Sequence, residues 1–220
     1  MKHPPRAGWP QTLLDAALVA LCALGPLCAR ARETQPALLA GWTVDRWTLA
    51  DGLPLAHVED LAESTDGLIW IGTFDGLVRF DGTEFRVFRR GTDPNLSTNR
   101  LYDVEASPDG SVWVAGEPNW VVRHADGQFE AWQLPPAAPD TPLRLATAEG
   151  KVWAAQVDLF ELAPDGPRPL GVGGLNGPLA LAGDGAGTLW LNTRRGRLLR
   201  RRPDGVIESL NPLTASPAFP

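Results

Sequence analysis

The sequence predicts an all-β fold assembled from four copies of one antiparallel unit, and three observations carry that prediction. A tryptophan flanked by apolar residues recurs at Trp70, Trp113, Trp153 and Trp190, in steps of 43, 40 and 37 residues. Asp-Gly or a close relative stands before and after each of these segments at matching distances. Finally, 23 Gly and 21 Pro among 220 residues make turns frequent and leave little room for long helices.

In chain order, residues 1–31 read as a signal peptide. Lys2 and Arg6 precede an apolar run from Leu13 to Leu27, and Ala29-Arg30-Ala31 has the form of a cleavage site. The run is shorter than the roughly 20 apolar residues of a membrane span. Cys22 and Cys28 are the chain's two cysteines and both lie here, so cleavage leaves neither disulfide nor thiol chemistry. Cleavage also takes the net charge from −6 to −8. An acidic chain lacks the broad basic face of a nucleic-acid binder, which argues against a nucleic-acid partner. Trp42–Leu49 then reads as an isolated strand.

The four units span about residues 56–88, 100–132, 142–170 and 178–210. Each opens on an alternating strand: Val58–Glu63, Leu101–Ala106, Leu143–Thr147 and Leu179–Ala182. A turn follows at Asp66-Gly67, Asp109-Gly110, Glu149-Gly150 or Ala186-Gly187, where Gly accepts positive φ without steric cost. The tryptophan strand comes next, apolar on both sides as befits a strand covered on both faces. A third strand (Leu77–Phe80, Val121–His124, Leu159–Leu162, Leu198–Arg201) leads through a second Asp-Gly turn to a fourth (Glu84–Phe88, Gln128–Trp132, Arg168–Leu170, Val206–Leu210). Such a four-stranded meander of about 40 residues has the size of a propeller blade. One sheet with two apolar faces cannot stand alone in water, and stacking buries both. The four tryptophans are therefore structural anchors between blades, each burying roughly 150–250 Å². Linkers Arg89–Asn99, Gln133–Thr141 and Gly171–Gly177 join the units, and 211–220 reads as a further linker. Because the fourth unit has its own outer strand, Trp42–Leu49 finds no vacancy to close a ring. The expectation is an incomplete ring, an open arc whose uncovered blade face invites self-association.

The first unit carries a longer pattern: Asp51-Gly52-Leu53-Pro54, Val58, then Asp66-Gly67-Leu68-Ile69-Trp70-Ile71-Gly72-Thr73 and Asp75-Gly76-Leu77-Val78-Arg79-Phe80-Asp81-Gly82 with Phe85. This resembles the two-component regulator propeller repeat. The second unit keeps Ser97-Thr98-Asn99-Arg100-Leu101, while the third and fourth are degenerate. The resemblance implies the N-terminal part of a periplasmic sensory propeller from a bacterial membrane signalling receptor. Such a propeller binds a small molecule or a periplasmic or membrane partner, without catalysis or cofactor. Unit four, Gly187–Leu191 through Pro203-Asp204-Gly205, also resembles streptogramin B lyase propellers. Those enzymes need histidines and an acidic residue around magnesium, whereas Thr73, Gly116, Gln156 and Thr193 stand three after each tryptophan here. A third reading is a small secreted four-bladed binding protein.

Candidate ligand residues are few. Trp120 and Trp132 fall outside the tryptophan register and are candidates for exposed aromatic contacts. His57 lies in the loop after Gly-Leu-Pro, without an obvious partner, and loops carry function. His124 fills the slot of Phe80 and Leu162 and reads as a strand residue. Arg194, Arg195 and Arg197, with Arg200, Arg201 and Arg202, form a basic cluster that could attract an anion. The Asp-Gly carboxylates lack the calcium-loop spacing and read as turn residues. No phosphate loop, zinc spacing or catalytic triad is visible.

Overall fold

The structure, a computed structural model, describes residues 45–210 except 94, 139, 140, 176 and 195. The expected signal peptide, both cysteines and the expected 211–220 linker lie outside the described residues. The described residues from Trp47 onward form one compact unit. Its blade 1 contains β1 (Asp60–Glu63), β2 (Ile69–Thr73), β3 (Gly76–Phe80) and β4 (Phe85–Phe88). Blade 2 contains β5 (Leu101–Ala106), β6 (Val112–Gly116), β7 (Trp120–Ala125) and β8 (Gln128–Gln133). Blade 3 contains β9 (Arg144–Ala148), β10 (Lys151–Ala155), β11 (Leu159–Ala163) and β12 (Gly166–Pro169). Blade 4 contains β13 (Pro178–Gly183), β14 (Leu189–Thr193), β15 (Leu198–Arg201) and β16 (Ile207–Leu210). Every blade is an antiparallel meander in sequence order, so the fold is all-β and propeller-like.

The first strands β1, β5, β9 and β13 lie side by side as the inner edge of the arc. Stacking is directional. Trp70 and Phe88 of blade 1 are buried with Leu101, Val104 and Val114 of blade 2. Trp113 is buried with Leu143, Leu145 and Val152 of blade 3, and Trp153 with Leu189, Leu191 and Leu199 of blade 4. The buried indoles also find polar partners: Trp70 Nε1 donates to Ser64 Oγ (3.1 Å) and Trp153 Nε1 to the Ala148 carbonyl (3.3 Å). Trp190 occupies the equivalent place on blade 4, but with no blade over it among the described residues. It is only partly buried there, beside exposed Ala180, Asn192 and Leu198. The anchors hold for three blades, and the fourth blade presents an open tryptophan face.

Blades approach closely at Gly183 of β13, where a methyl group would collide with the Thr147 carbonyl of β9. Gly76, at φ +126°, similarly leaves no room for a side chain beside the Phe88 carbonyl.

The expected strand over Trp42–Leu49 is not formed in its described part. Residues 45–48 are irregular and Leu49–Asp51 make a 3-10 turn. Thr48 and Asp51 explain the change. Ala50 N–H donates to Thr48 Oγ1 (3.2 Å), while Thr48 N–H donates to Asp51 Oδ2 (2.7 Å), a reciprocal cap that bends the chain. The segment instead covers the reverse face of blade 1. Leu53 packs on Ile71, Val78 and Phe80, and Trp47 meets Phe80 edge-on at 4.9 Å.

Candidate functional site

A meander puts its first and third turns at one end and its middle loop and outgoing linker at the other. The Asp-Gly turns therefore gather at one rim. The opposite rim carries the β2–β3, β6–β7, β10–β11 and β14–β15 loops with the interblade linkers. Backbone bonds stitch these together: Gly76 N–H donates to Asn99 O (2.9 Å), Glu117 N–H to Arg100 O (2.9 Å) and Leu134 N–H to Asn119 O (2.9 Å).

On this rim a cleft of about 790 Å³ opens across blades 1 to 3. Its floor is set by the starts of inner strands, at Glu59, Tyr102 and Arg144. Glu117, Pro118 and Asn119 of the β6–β7 loop form one wall, and Pro136, Thr141 and Pro142 of the next linker form another. A register shift between Leu101 and Asp103 leaves Tyr102 as a bulge residue in β5, and bulges re-aim side chains. Burial, then the charge of Glu117, pushes the Tyr102 phenol up to about 12, so it stays a neutral donor. Asn119 is fixed by bonds from its amide to the Leu134 and Pro135 carbonyls and by Gln133 Nε2 donating to its Oδ1 (3.1 Å).

Beside the cleft, Arg100 pairs with Glu117 (2.7 Å) and lies over the Phe74 ring at 4.2 Å. His57 is exposed, yet it is not unpartnered as the sequence suggested. Its Nε2 lies 3.2 Å from Glu59 Oε1 and its ring runs parallel to Phe74. Donors and acceptors of both charges around an aromatic and proline lining suit recognition of a polar small molecule. Among the described residues no three His, Cys, Asp or Glu side chains converge as metal ligands would.

Other sequence candidates lie elsewhere. Trp120 and Trp132 are partly buried rather than presented to solvent. Trp120 packs on the blade 1–2 core, and Trp132 stacks on Trp113 at 5.7 Å because Gly166 leaves room beside its indole. His124 sits between blades 1 and 2 against Trp70, Phe88 and Phe129, and burial lowers its pKa. The basic cluster is dispersed: Arg200 pairs with Glu208 (2.5 Å), Arg201 with Glu149 (3.4 Å) and Arg202 with Asp204 (3.2 Å). Arg194 and Arg197 are exposed at the blade 4 rim, and Arg195 lies outside the described residues.

Sequence reading missed Glu59, Arg100, Tyr102, Glu117 and Arg144. One signal was available. Asp60 and Asp103 each stand ten residues before their tryptophan, carboxylates at one register of two inner strands.

No protein-family model matches the chain. A histidine kinase of Formosa agariphila is 37% identical over 51 residues, 23% of this chain and 4% of that protein. Two solved extracellular domains from B. thetaiotaomicron, each assigned to a hybrid two component system, share the fold. One has a TM-score of 0.54 at 20% identity, covering 74% of this chain and 25% of that one. The other has a TM-score of 0.52 at 18% identity, covering 72% and 23%. The chain thus spans about a quarter of each of these two solved chains. Among the described residues no helix is long and apolar enough to cross a membrane. Repeat motif and strand topology agree with these likenesses: the chain has the propeller fold of these two extracellular domains.

Proposed function

We propose that this chain is an exported, periplasmic, non-catalytic sensory propeller, part of a two-component-type receptor, that binds a polar small molecule in the cleft across blades 1 to 3. The cleft is the observation that carries the reading. Three successive inner strands and two loops contribute to it, so a bound molecule would tie three blades together, and any shift in blade packing would be felt there. The fold likeness to extracellular domains and the propeller motif of unit one support the sensory role.

A thermal-shift series with monosaccharides, oligosaccharides, amino acids and dicarboxylates at millimolar concentration tests it. One class raises the melting temperature of the wild type and not of Tyr102→Ala or Gln133→Ala. Stabilisation that survives both substitutions, or no stabilisation by any class, overturns the assignment.

A further inference from the structure

We propose that Asp60 and Asp103 form a proton-controlled latch fastening the inner strands of blades 1, 2 and 3 beneath the cleft. The two residues hold the same register on successive inner strands, Asp60 opposite Gly72 and Asp103 opposite Ala115. Each reaches forward into the next blade. Val104 N–H donates to Asp60 Oδ2 (2.8 Å) and Leu145 N–H to Asp103 Oδ2 (3.1 Å). Arg144, at the corresponding place in blade 3, continues the series by donating from Nε to the Leu179 carbonyl (3.4 Å). Ala180 ends it, having no side chain to reach with.

Asp60 Oδ2 accepts from the amide of the residue that follows Asp103, which brings the two carboxyl groups close together. Two carboxylates brought together away from water repel, so the site favours a proton on one of them. Asp103 is 9% exposed, and burial, reinforced by Asp60, pushes it up to about 8. The surrounding charges do not offset this. Arg144 Nη1 stands 3.9 Å from Asp103 Oδ2, while Glu105, two residues along β5, is itself raised by burial and by Asp60 despite the bond from Thr147 Oγ1 (2.9 Å). Glu59 and Glu117 add negative charge on the cleft side of Tyr102.

Between neutral pH and about pH 9 the Asp103 proton passes to solvent base and leaves adjacent carboxylates in a half-dry interior. They repel, the β1–β5 contact loosens, and the Asp103 carboxylate draws the Arg144 guanidinium away from the cleft it lines. The latch stands on the interblade bonds alone. Its effect on ligand rests in addition on the cleft being the recognition site.

Tyr102 is the chain's one tyrosine and adjoins Asp103, so a ring-13C tyrosine label gives a single NMR reporter. Its own ionisation lies far above the range of interest. The wild-type signal is expected to step with a midpoint near pH 8, and the thermal midpoint to fall as pH rises above the unfolded value of about 3.8 and to level off past about pH 8. Asp103→Asn keeps an oxygen for Leu145 N–H and removes the charge, so both changes vanish. Asp60→Asn removes the like charge but not the burial, so the step persists and moves to lower pH. Identical pH profiles in wild type and Asp103→Asn overturn the latch. Should that variant not fold, the aspartate side-chain 13C signals of the wild type decide: titration of Asp103 in the ordinary carboxylate range overturns it, and titration near 8 supports it. A stabilising compound from the thermal-shift series whose affinity is unchanged across the step refutes the coupling to the cleft. A clear step at Tyr102 with no compound bound faults the cleft reading and leaves the latch standing.

Discussion

Truncating Trp153 and Trp190 to alanine, each in the full chain, separates a covered blade face from an open one. Trp153 is 0% exposed, roofed by blade 4 and capped by the Arg201 guanidinium 4.3 Å above its ring. Burying an indole of about 150–250 Å² at about 25 cal/mol per Å² contributes roughly 4–6 kcal/mol, and measured Trp→Ala losses in cores run at about 3–5. Trp190 has the same strand position but, among the described residues, only its own sheet for cover. Its Nε1 donates to Asp184 Oδ2 (3.3 Å) and Arg200 stands 5.7 Å from its ring. Its loss should cost about 1–2 kcal/mol. With a urea slope of about 2 kcal/mol per molar, Trp153→Ala lowers the midpoint by roughly 2 M and Trp190→Ala by less than about 1 M. Circular dichroism is the readout, because both variants alter the fluorescence. Equal losses would mean that the blade 4 face is covered in solution, by ring closure or by a second copy, and would refute the directional arc.

Two further outcomes follow from the same packing. Gly183→Ala drives a methyl into the Thr147 carbonyl and forces blades 3 and 4 apart, costing about 1–3 kcal/mol in the urea assay, whereas Gly185→Ala, with open space around it, is nearly neutral. Below pH 4 stability should decline: Glu84 N–H and the Thr83 side chain lower Asp81 to about 2, the Ser64 hydroxyl lowers Asp66, and Thr188 N–H lowers Asp184. A depressed folded value gives stability present above the unfolded value of about 3.8 and lost as pH falls through the folded one, so urea midpoints unchanged from pH 5 to 2 would refute the role of these turns.

The blades were legible because their signals are local. Three apolar residues around a tryptophan, bracketed by Asp-Gly turns, specify strand, turn and register within about 40 residues. The cleft was not legible, because Glu59, Tyr102, Glu117 and Arg144 come from three blades and share no spacing. Their meeting depends on how the blades stack. His57 illustrates the same gap, since its partner Phe74 lies beyond two strands. The misread entry segment is different. Trp42–Leu49 reads as a strand, yet Thr48 and Asp51 stand at capping-box spacing and their local hydrogen bonds bend the chain. Trp120 and Trp132 mislead for a third reason. They are out of register with the anchors, but a propeller buries both faces of its inner blades, so register alone cannot tell a core indole from an exposed one.

Directionality gives the arc two unlike ends. Trp70, Trp113 and Trp153 each pack against the following blade, and Asp60, Asp103 and Arg144 reach the same way to the next inner strand. The reverse face of blade 1 therefore needs no tryptophan. A short capped segment carrying Trp47 and Leu53 supplies its cover. The forward face of blade 4 keeps the Trp190 indole, the Leu198 side chain and the Arg200–Glu208 pair, matching Trp113, Val121 and the Arg123–Glu130 pair that blade 3 covers on blade 2. Its chemistry is that of a covered face, while the reaching residue has become Ala180. Apolar contact can therefore still form there, but the carboxylate tie to a neighbouring backbone cannot. If the latch operates as inferred, proton control is confined to blades 1 to 3, where the cleft lies, and packing against blade 4 should be indifferent to pH through the same range.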